Sequence, residues 1–517
     1  MKNKSLRFIK ISITVLITVA LCMILSSDIK RRNITDADFM YAVANGERIK
    51  IFDSKDGYYL FLPGYADEDN IRLSAEARKH DIKIERSANI ATIFINTSSG
   101  SLENIYKDKE YKEPGTIKVI DESGHTVLTC GLTYLKGRGN YSWANWDKKP
   151  FSFKLKKDIS ILGLGAGSTY SLLANASDPT LIRNEVARNI EKAVGIPYAA
   201  AGVFADLYIN GEYMGNYYLC ANIDIGSERI NIHNIEEKKS MLFAGSRIEA
   251  MDVYETPKMK GWNVPEHIAD ITGGYLLQRE FIDRYLLEYG KMKSGFVTQN
   301  DEHFIVESPK YCSVSEINYI SGFVNEAEKA LLNDNGINPD TGKSYTEYIN
   351  IRSFADRYLV EETIKNYDGG VSSAYYFKNS DLSDGLLYSG PGWDFDMSLG
   401  NYLDWMEYSK EGPEGMTNLS VSGYASVWYP ALLKKKEYTD IVKNDYNEYV
   451  QAYLTMLEAD IIDEYENLLC ASAKMDSIRW KDMYDKFGYT TGNHAAYGSL
   501  KDFTAKRRAF LDMEWSN

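Results

Sequence analysis

Three acidic residues between Asn366 and Asn401 have the types and spacing to do chemistry. Asp394 and Asp396 stand two apart in Gly392-Trp393-Asp394-Phe395-Asp396-Met397-Ser398-Leu399-Gly400-Asn401. Residues i and i+2 of a strand share a face, so a strand here would aim both carboxylates at one hard cation. Asp368 lies in the turn-forming run Asn366-Tyr367-Asp368-Gly369-Gly370, just after a helical pattern. Loop residues delivered by a rigid element are common carriers of catalytic groups. Between the acids, Ser373-Ala374-Tyr375-Tyr376-Phe377 reads as one arm of a short hairpin. Three acids, a hairpin and a glycine exit read as a metal–phosphate site.

Basic residues that could answer a phosphate come earlier. Leu135-Lys136-Gly137-Arg138-Gly139-Asn140-Tyr141-Ser142-Trp143 holds a Gly-x-Gly loop whose backbone can approach a phosphate, with Arg138 as a planar cationic donor. Many hairpins carry the same pattern without a ligand. Lys148-Lys149-Pro150-Phe151-Ser152-Phe153-Lys154-Leu155-Lys156 alternates, with Phe151, Phe153 and Leu155 toward a core and Lys154 and Lys156 on the opposite face. That face either neutralises nucleotide phosphates or is simply solvated.

The elements that must position these groups follow from pattern. Asp178-Pro179 reads as N-cap and first residue of a helix through Ile190. Val203 to Ile209 reads as a buried strand that Asn210-Gly211 turns into a hairpin with Tyr213 to Cys220. Arg352 to Asn366 is amphipathic, with Phe354, Tyr358, Leu359 and Ile364 inward, and delivers Asp368 at its end. A small β unit is expected over 36–90, with strands continuing through Ile82-Lys83-Ile84 and from Ile90 to Ile95. From 426 to 517 the chain reads helical, notably Tyr438 to Glu458 and Ile461 to Ser472.

Composition narrows the classes. At 517 residues the chain is long enough for two or three domains. A formal charge of −14 argues against a general nucleic-acid binder, which needs a basic face. The six histidines (His80, His125, His233, His267, His303 and His494) form no His-x-x-x-His or His-Glu-x-x-His pattern. Cys130, Cys220, Cys312 and Cys470 match no zinc spacing and read first as isolated core thiols, with one disulfide open. Lys2, Lys4, Arg7 and Lys10 precede an apolar run from Ile11 to Leu25, so residues 1–32 read as a signal anchor or a cleaved signal peptide. Cys22 follows a leucine, which makes a poor lipoprotein cleavage box. The body is expected outside the cell membrane, held by one span, or secreted.

The ordered blocks carry a resemblance. Lys136-Gly137-Arg138-Gly139-Asn140 with Ser142-Trp143, Lys148 to Leu155, Leu172-Leu173-Ala174-Asn175 with Asp178, Arg183 and Asn184, and Asn210 to Tyr217 resemble the CotH (spore-coat protein H) kinase family. So does Asn366-x-Asp368-Gly369, with Ser373, Tyr376, Gly392 to Asp396, Gly400 and Asn401. The resemblance spans about 91–401 and implies a kinase domain over 91–425, with the helical part packed on it. It implies an α+β fold with a divergent protein-kinase-like centre, and a secreted or surface kinase. Such an enzyme would use ATP and Mg²⁺ or Mn²⁺ to phosphorylate Ser or Thr of a surface or coat protein. By position, Asp368 matches the catalytic aspartate, Asp394 the metal-binding aspartate, and Asp396 its second acid. Arg138, Lys149, Lys154, Arg183 and Asn184 match nucleotide-binding positions, and Glu185 stands where a helix glutamate could pair with a strand lysine. Cys220-Ala221-Asn222 departs from an acid that relatives often carry near a possible adenine-side hinge. Two rivals stay open: a metal-dependent Asp-x-Asp glycosyltransferase, although no Rossmann-type opening is present, and a non-catalytic coat-assembly scaffold, given the scarcity of ATP outside a membrane.

Overall fold

The structure is a computed structural model that describes residues 40–243, 248, 251–265, 268–291, 293–402, 412–419 and 426–516. The expected signal segment, Cys22 and His267 lie outside them. Among the described residues no helix is long and apolar enough to cross a membrane. Strands and helices are both abundant, so the protein is α+β.

Two compact units separate. The first takes the residues up to 60 together with 67–84. Tyr41–Ala44 pairs there with Glu47–Lys50 and with Arg72–Leu73, and Asn45-Gly46 turns the hairpin with both φ angles positive. These strands make a small β unit. Ala91–Thr97 is buried along nearly its whole length and belongs to the second unit.

The second unit takes 61–66 and the residues from 85 onward. It begins as a closed seven-stranded barrel. Its strands are β1 (Ala91–Thr97), β2 (Glu113–Ile120), β3 (Thr126–Gly137), β4 (Phe151–Ser160), β5 (Ala166–Leu173), β6 (Gly202–Ile209) and β7 (Glu212–Ala221). The order around the barrel is β4-β5-β7-β6-β1-β2-β3, antiparallel except between β6 and β1. Phe151, Phe153 and Leu155 are fully buried as their alternation requires. Asn210-Gly211 turns β6 into β7 with φ values of 52° and 78°, as the hairpin signal predicts.

Helix α1 (Arg183–Val194) bridges β5 and β6. It starts four residues later than the Asp178 cap suggested, because Leu181 takes a φ of 68° and breaks the first turn. Asp178 still does a cap's work at a distance, since Oδ2 accepts from the Arg183 N–H at 2.9 Å.

An antiparallel sheet follows: β8 (Val253–Thr256), β9 (Met259–Trp262), β10 (Tyr275–Glu280), β11 (Gly295–Val297), β12 (His303–Ser308), β13 (Ala374–Lys378) and β14 (Leu387–Ser389). Its order is β8-β9-β11-β12-β10-β13-β14. Against it lie α2 (Ile282–Gly290), α3 (Val314–Leu332) and α4 (Ile351–Ile364). Helix α4 is the predicted amphipathic helix, but it is buried on every side from Ser353 onward. The C-terminal helices close the face its polar residues were expected to show to water. Burial of Phe354, Tyr358, Leu359 and Ile364, all fully enclosed, contributes roughly 1.5–3 kcal/mol each.

The C-terminal part runs helically from Lys436 to Arg479 through two wider π turns, then from Lys481 to Phe487 and from His494 to Trp515. Buried polar groups fasten it to the barrel. Lys148 Nζ lies 2.6 Å from Asp476 Oδ1, both with no exposed side-chain area. Asp206 Oδ1 accepts from Ser472 Oγ at 2.7 Å and from Tyr213 OH at 2.9 Å. Burial pushes the Asp206 carboxyl up from 3.8 to about 6, against the hydrogen bonds of Ser472 and Tyr213. The folded state therefore keeps a proton that the unfolded chain releases. Asp206's contribution is complete below about pH 4 and is lost as the pH rises through about 6. Asp206→Asn should be more stable than the parent at pH 7 by up to about 3 kcal/mol, with the gain vanishing near pH 4. Urea unfolding at the two pH values measures it.

Candidate active site

The three acids arrive on two loops that hold each other. Asp368 opens a short 3-10 turn, Asp368–Gly370, after α4 ends in a left-handed Lys365. A Cβ on Gly369 would lie 2.5 Å from Glu361 Oε2, and one on Gly370 would lie 2.6 Å from the Leu419 carbonyl. Both glycines are therefore required by close approach.

Asp394 and Asp396 do not lie on a strand, contrary to the expectation from their spacing. Asp394 takes a φ of 68°, so the extended alternation is broken between them. Side chains rather than a neighbouring strand bind this backbone. Gly392 N–H donates to Glu191 Oε1 at 2.5 Å, and Phe395 N–H donates to Asn184 Oδ1 at 3.3 Å. Asn366 Nδ2 reaches the Asp394 carbonyl at 3.4 Å and Glu361 Oε2 at 2.8 Å. Two backbone bonds cross-link the loops: Tyr367 N–H to the Met397 carbonyl at 3.1 Å, and Leu399 N–H to the Ile364 carbonyl at 2.8 Å. Asp396 is oriented by Ser177 Oγ, which donates to Oδ2 at 2.6 Å.

The result is a concentration of negative charge. Burial first, then the carboxylates of Asp394, Asp396, Glu280 and Glu361, push Asp368 well above the usual carboxylate range. Asp396 rises to about 6, through burial and then Asp394, with the Ser177 hydrogen bond opposing. Among the described residues none of the three forms an ion pair. This all-oxygen donor set fits Mg²⁺ or Mn²⁺, which takes one or two carboxylates and completes its coordination from phosphate oxygens and water. Among the described residues no group of three or more His, Cys, Asp or Glu side chains forms a metal cage by itself.

A family model described as CotH kinase protein matches residues 135–511, well over half of the chain. The chain belongs to the CotH kinase family. The match runs past Asn401 through the C-terminal helices, so those helices are part of what the family shares. No curated protein matches the chain.

The predicted basic residues take different places. Arg138 comes to the residue beside Asp394: its guanidinium carbon lies 5.3 Å from the centre of the Trp393 ring. Lys149 is turned away, with Nζ donating to the Trp143 carbonyl at 2.5 Å. Lys154 is half-buried on β4 between Tyr134 and Thr169, near enough to Asp224 to favour its charged form. Arg183 is buried and braces the acid loop, ion-paired with Asp178 while Nε donates to the Ser398 carbonyl at 3.0 Å. Asn184 is likewise a brace. Among the described residues Glu185 pairs with no lysine; its carboxylate accepts from Tyr218 OH and, at 3.0 Å, from Tyr465 OH.

Several site residues were not singled out from sequence. Glu280, at the end of β10, is buried beside Asp368, and burial raises it to about 8. Glu191, Arg357 and Glu361 sit on helices where an i, i+4 pair reads as surface decoration, yet all three are buried. Gly163-x-Gly165-x-Gly167 between β4 and β5 was a readable glycine signal. It borders a cavity of about 370 Å³ shared by Asn222, Asp224, Arg229 and Pro391. Cys220 is buried just before it, and Asn222 Oδ1 accepts from Ser171 Oγ at 2.6 Å. Cys312 is also a core thiol, but Cys470 is exposed, and all four described cysteines are free. A larger cavity of about 600 Å³ lies between α3 and the β13–β14 turn and contains none of the predicted site residues.

Gly392 is a direct test of the acid loop. A Cβ there would lie 2.3 Å from Phe395 and 2.6 Å from Glu191 Oε1. Gly392→Ala should cost about 1–3 kcal/mol in thermal or urea unfolding.

Proposed function

We propose that the chain is an atypical protein kinase that moves the γ-phosphate of ATP to Ser or Thr hydroxyls of a surface or coat protein. One observation carries the reading: α4 delivers Asp368 into the field of Asp394 and Asp396, on loops braced so that like charges stay together. Family membership supports a kinase, and the arrangement suits phosphoryl transfer, where positioning and charge neutralisation do most of the catalysis. The barrel, bridging helix and following sheet support a divergent kinase-like fold.

Each residue has a role in this reading. Asp368 orients the acceptor hydroxyl and takes its proton, a task suited to a carboxylate of raised proton affinity. Asp394 and Asp396 would hold Mg²⁺ or Mn²⁺, and Asn184, Arg183 and Ser177 fix the backbone and carboxylates that would hold it. Such a cation would supply positive charge to offset that of the phosphates. Arg138, over the Trp393 ring, would offer a cation to the phosphates, and Lys154 on β4 would add positive charge. The body acts outside the membrane, anchored or released by its N-terminal segment, on a protein substrate.

The engagement of Lys149 and Arg183 within the protein favours one competing reading, a coat-assembly scaffold that holds nucleotide weakly. Incubation with γ-labelled ATP and Mg²⁺ or Mn²⁺ separates the two. Label on Ser or Thr, absent in Asp394→Asn, supports the kinase. Absence of label from the parent under both metals supports the scaffold.

Two variants assign the roles. Asp394→Asn should stay folded and lose metal-dependent protection by ATP in a thermal-shift measurement. Asp368→Asn should retain that protection and lose transfer by about 100-fold or more. Equal loss of both functions in both variants would mean that the roles are misassigned.

A further inference from the structure

We infer that Glu191 is the positioning residue through which helix α1 holds both acid loops, the one carrying Asp394 by a hydrogen bond and the one carrying Asp368 by charge. The inference rests on the kinase reading of the site and deepens it by naming the element that controls assembly.

The observations form one connected path. Glu191 has no exposed area, and its Oε1 receives the Gly392 N–H at 2.5 Å, two residues before Asp394. The room a Gly392 side chain would need is taken by that same carboxylate. One turn back on α1, Arg188 is also fully buried, with its guanidinium carbon 5.1 Å from the centre of the Trp393 ring. Arg138 lies over the same ring at 5.3 Å, so Trp393 is held between the barrel and α1. Helix α1 therefore fixes the residue before Asp394 and the residue before that.

The other loop is reached through charge. Arg357 of α4 is buried, acts on Glu191 electrostatically and forms an ion pair with Glu361. Glu361 in turn receives Asn366 Nδ2 at 2.8 Å and leaves no room for a Cβ on Gly369. Arg188, Glu191, Arg357 and Glu361 thus alternate in sign between α1 and the turn that carries Asp368. A buried charge stripped of its partner is strongly unfavourable, so neither helix can shift alone without exposing one. Such a ladder is poor evidence for stability and better evidence for a specified arrangement. Glu191 Oε2 has no hydrogen-bond partner, so its hold on Arg357 is charge alone, whereas its hold on Gly392 is a hydrogen bond. The two holds can be removed separately.

The test uses the full chain and four variants: Glu191→Gln, Glu191→Ala, Arg357→Gln and the double variant Glu191→Gln/Arg357→Gln. Glu191→Gln keeps an acceptor for Gly392 and removes the charge that faces Arg357. It should leave the KM for ATP within about threefold and lower kcat about tenfold, a loss of roughly 1.4 kcal/mol in the transition state. Glu191→Ala removes both holds and should raise the KM for ATP about tenfold and lower kcat about 100-fold. Glu191→Gln/Arg357→Gln restores charge balance and should recover part of the kcat lost in either single variant. Amide hydrogen exchange reads the coupling without turnover. Exchange over 366–370 should quicken in both Glu191 variants, and exchange over 390–396 in Glu191→Ala alone.

Unchanged kcat and KM per folded molecule, with unchanged exchange in both segments, would overturn the inference. So would purely additive losses in the double variant. A parent chain that transfers no phosphate but shows the expected exchange pattern would remove the kinase reading and leave the coupling standing. If Glu191→Ala does not fold, the Glu191→Gln split between kcat and KM and its one-segment exchange decide the matter.

Discussion

Like-charge repulsion among Asp368, Asp394 and Asp396 is the constraint around which this structure is arranged. Burial raises the cost of each negative charge, and proximity raises it again. Left to themselves, two loops carrying these residues would separate. They are kept together by backbone bonds between the loops, by Asn366 and Asn184 on the loop backbone, and by Ser177 on Asp396. A cation bound among the acids would remove the repulsion the fold has already withstood.

The surrounding architecture is a set of fasteners for those loops. Arg183 ties the turn after β5 to the end of the acid loop. Arg279, at the end of β10, pairs with Glu302 and reaches the Gly370 carbonyl at 3.2 Å, which steadies the turn of Asp368 from the sheet side. Helix α4 can carry buried charges along its length because the C-terminal helices enclose it. Arg507 of the last helix pairs with Glu362 at 2.8 Å, and Glu362 accepts from the Thr417 and Asn418 backbones. The family match that runs through these helices agrees with their structural role.

Much of the site was legible in the chain because its signals are local. The turn chemistry of Asn210-Gly211, the period of Arg352 to Asn366 and the alternation of Phe151, Phe153 and Leu155 depend on neighbours a few residues away. Each appears where the pattern put it. The strand reading of Asp394 and Asp396 did not survive, because period-two spacing says nothing of a positive φ between two acids. Lys149 and Arg183 illustrate a second gap: a basic residue in a motif looks the same whether it faces a phosphate or a carbonyl of its own chain. Arg138 reaches the Trp393 ring beside Asp394, and nothing in its own loop distinguishes it from Lys149.

By itself, the sequence determined the elements, the order of the blocks and the identity of the three acids, since hydrophobic period, turn residues and residue type are properties of short stretches. Only the tertiary structure decided which groups serve those acids. Glu191 meets the Gly392 amide across 201 residues of chain, and Ser177 meets Asp396 across 219. Contacts of that separation leave no local periodicity to read. They exist only when barrel, bridging helix and buried α4 bring their backbones within hydrogen-bond reach, and burial then makes each such bond count.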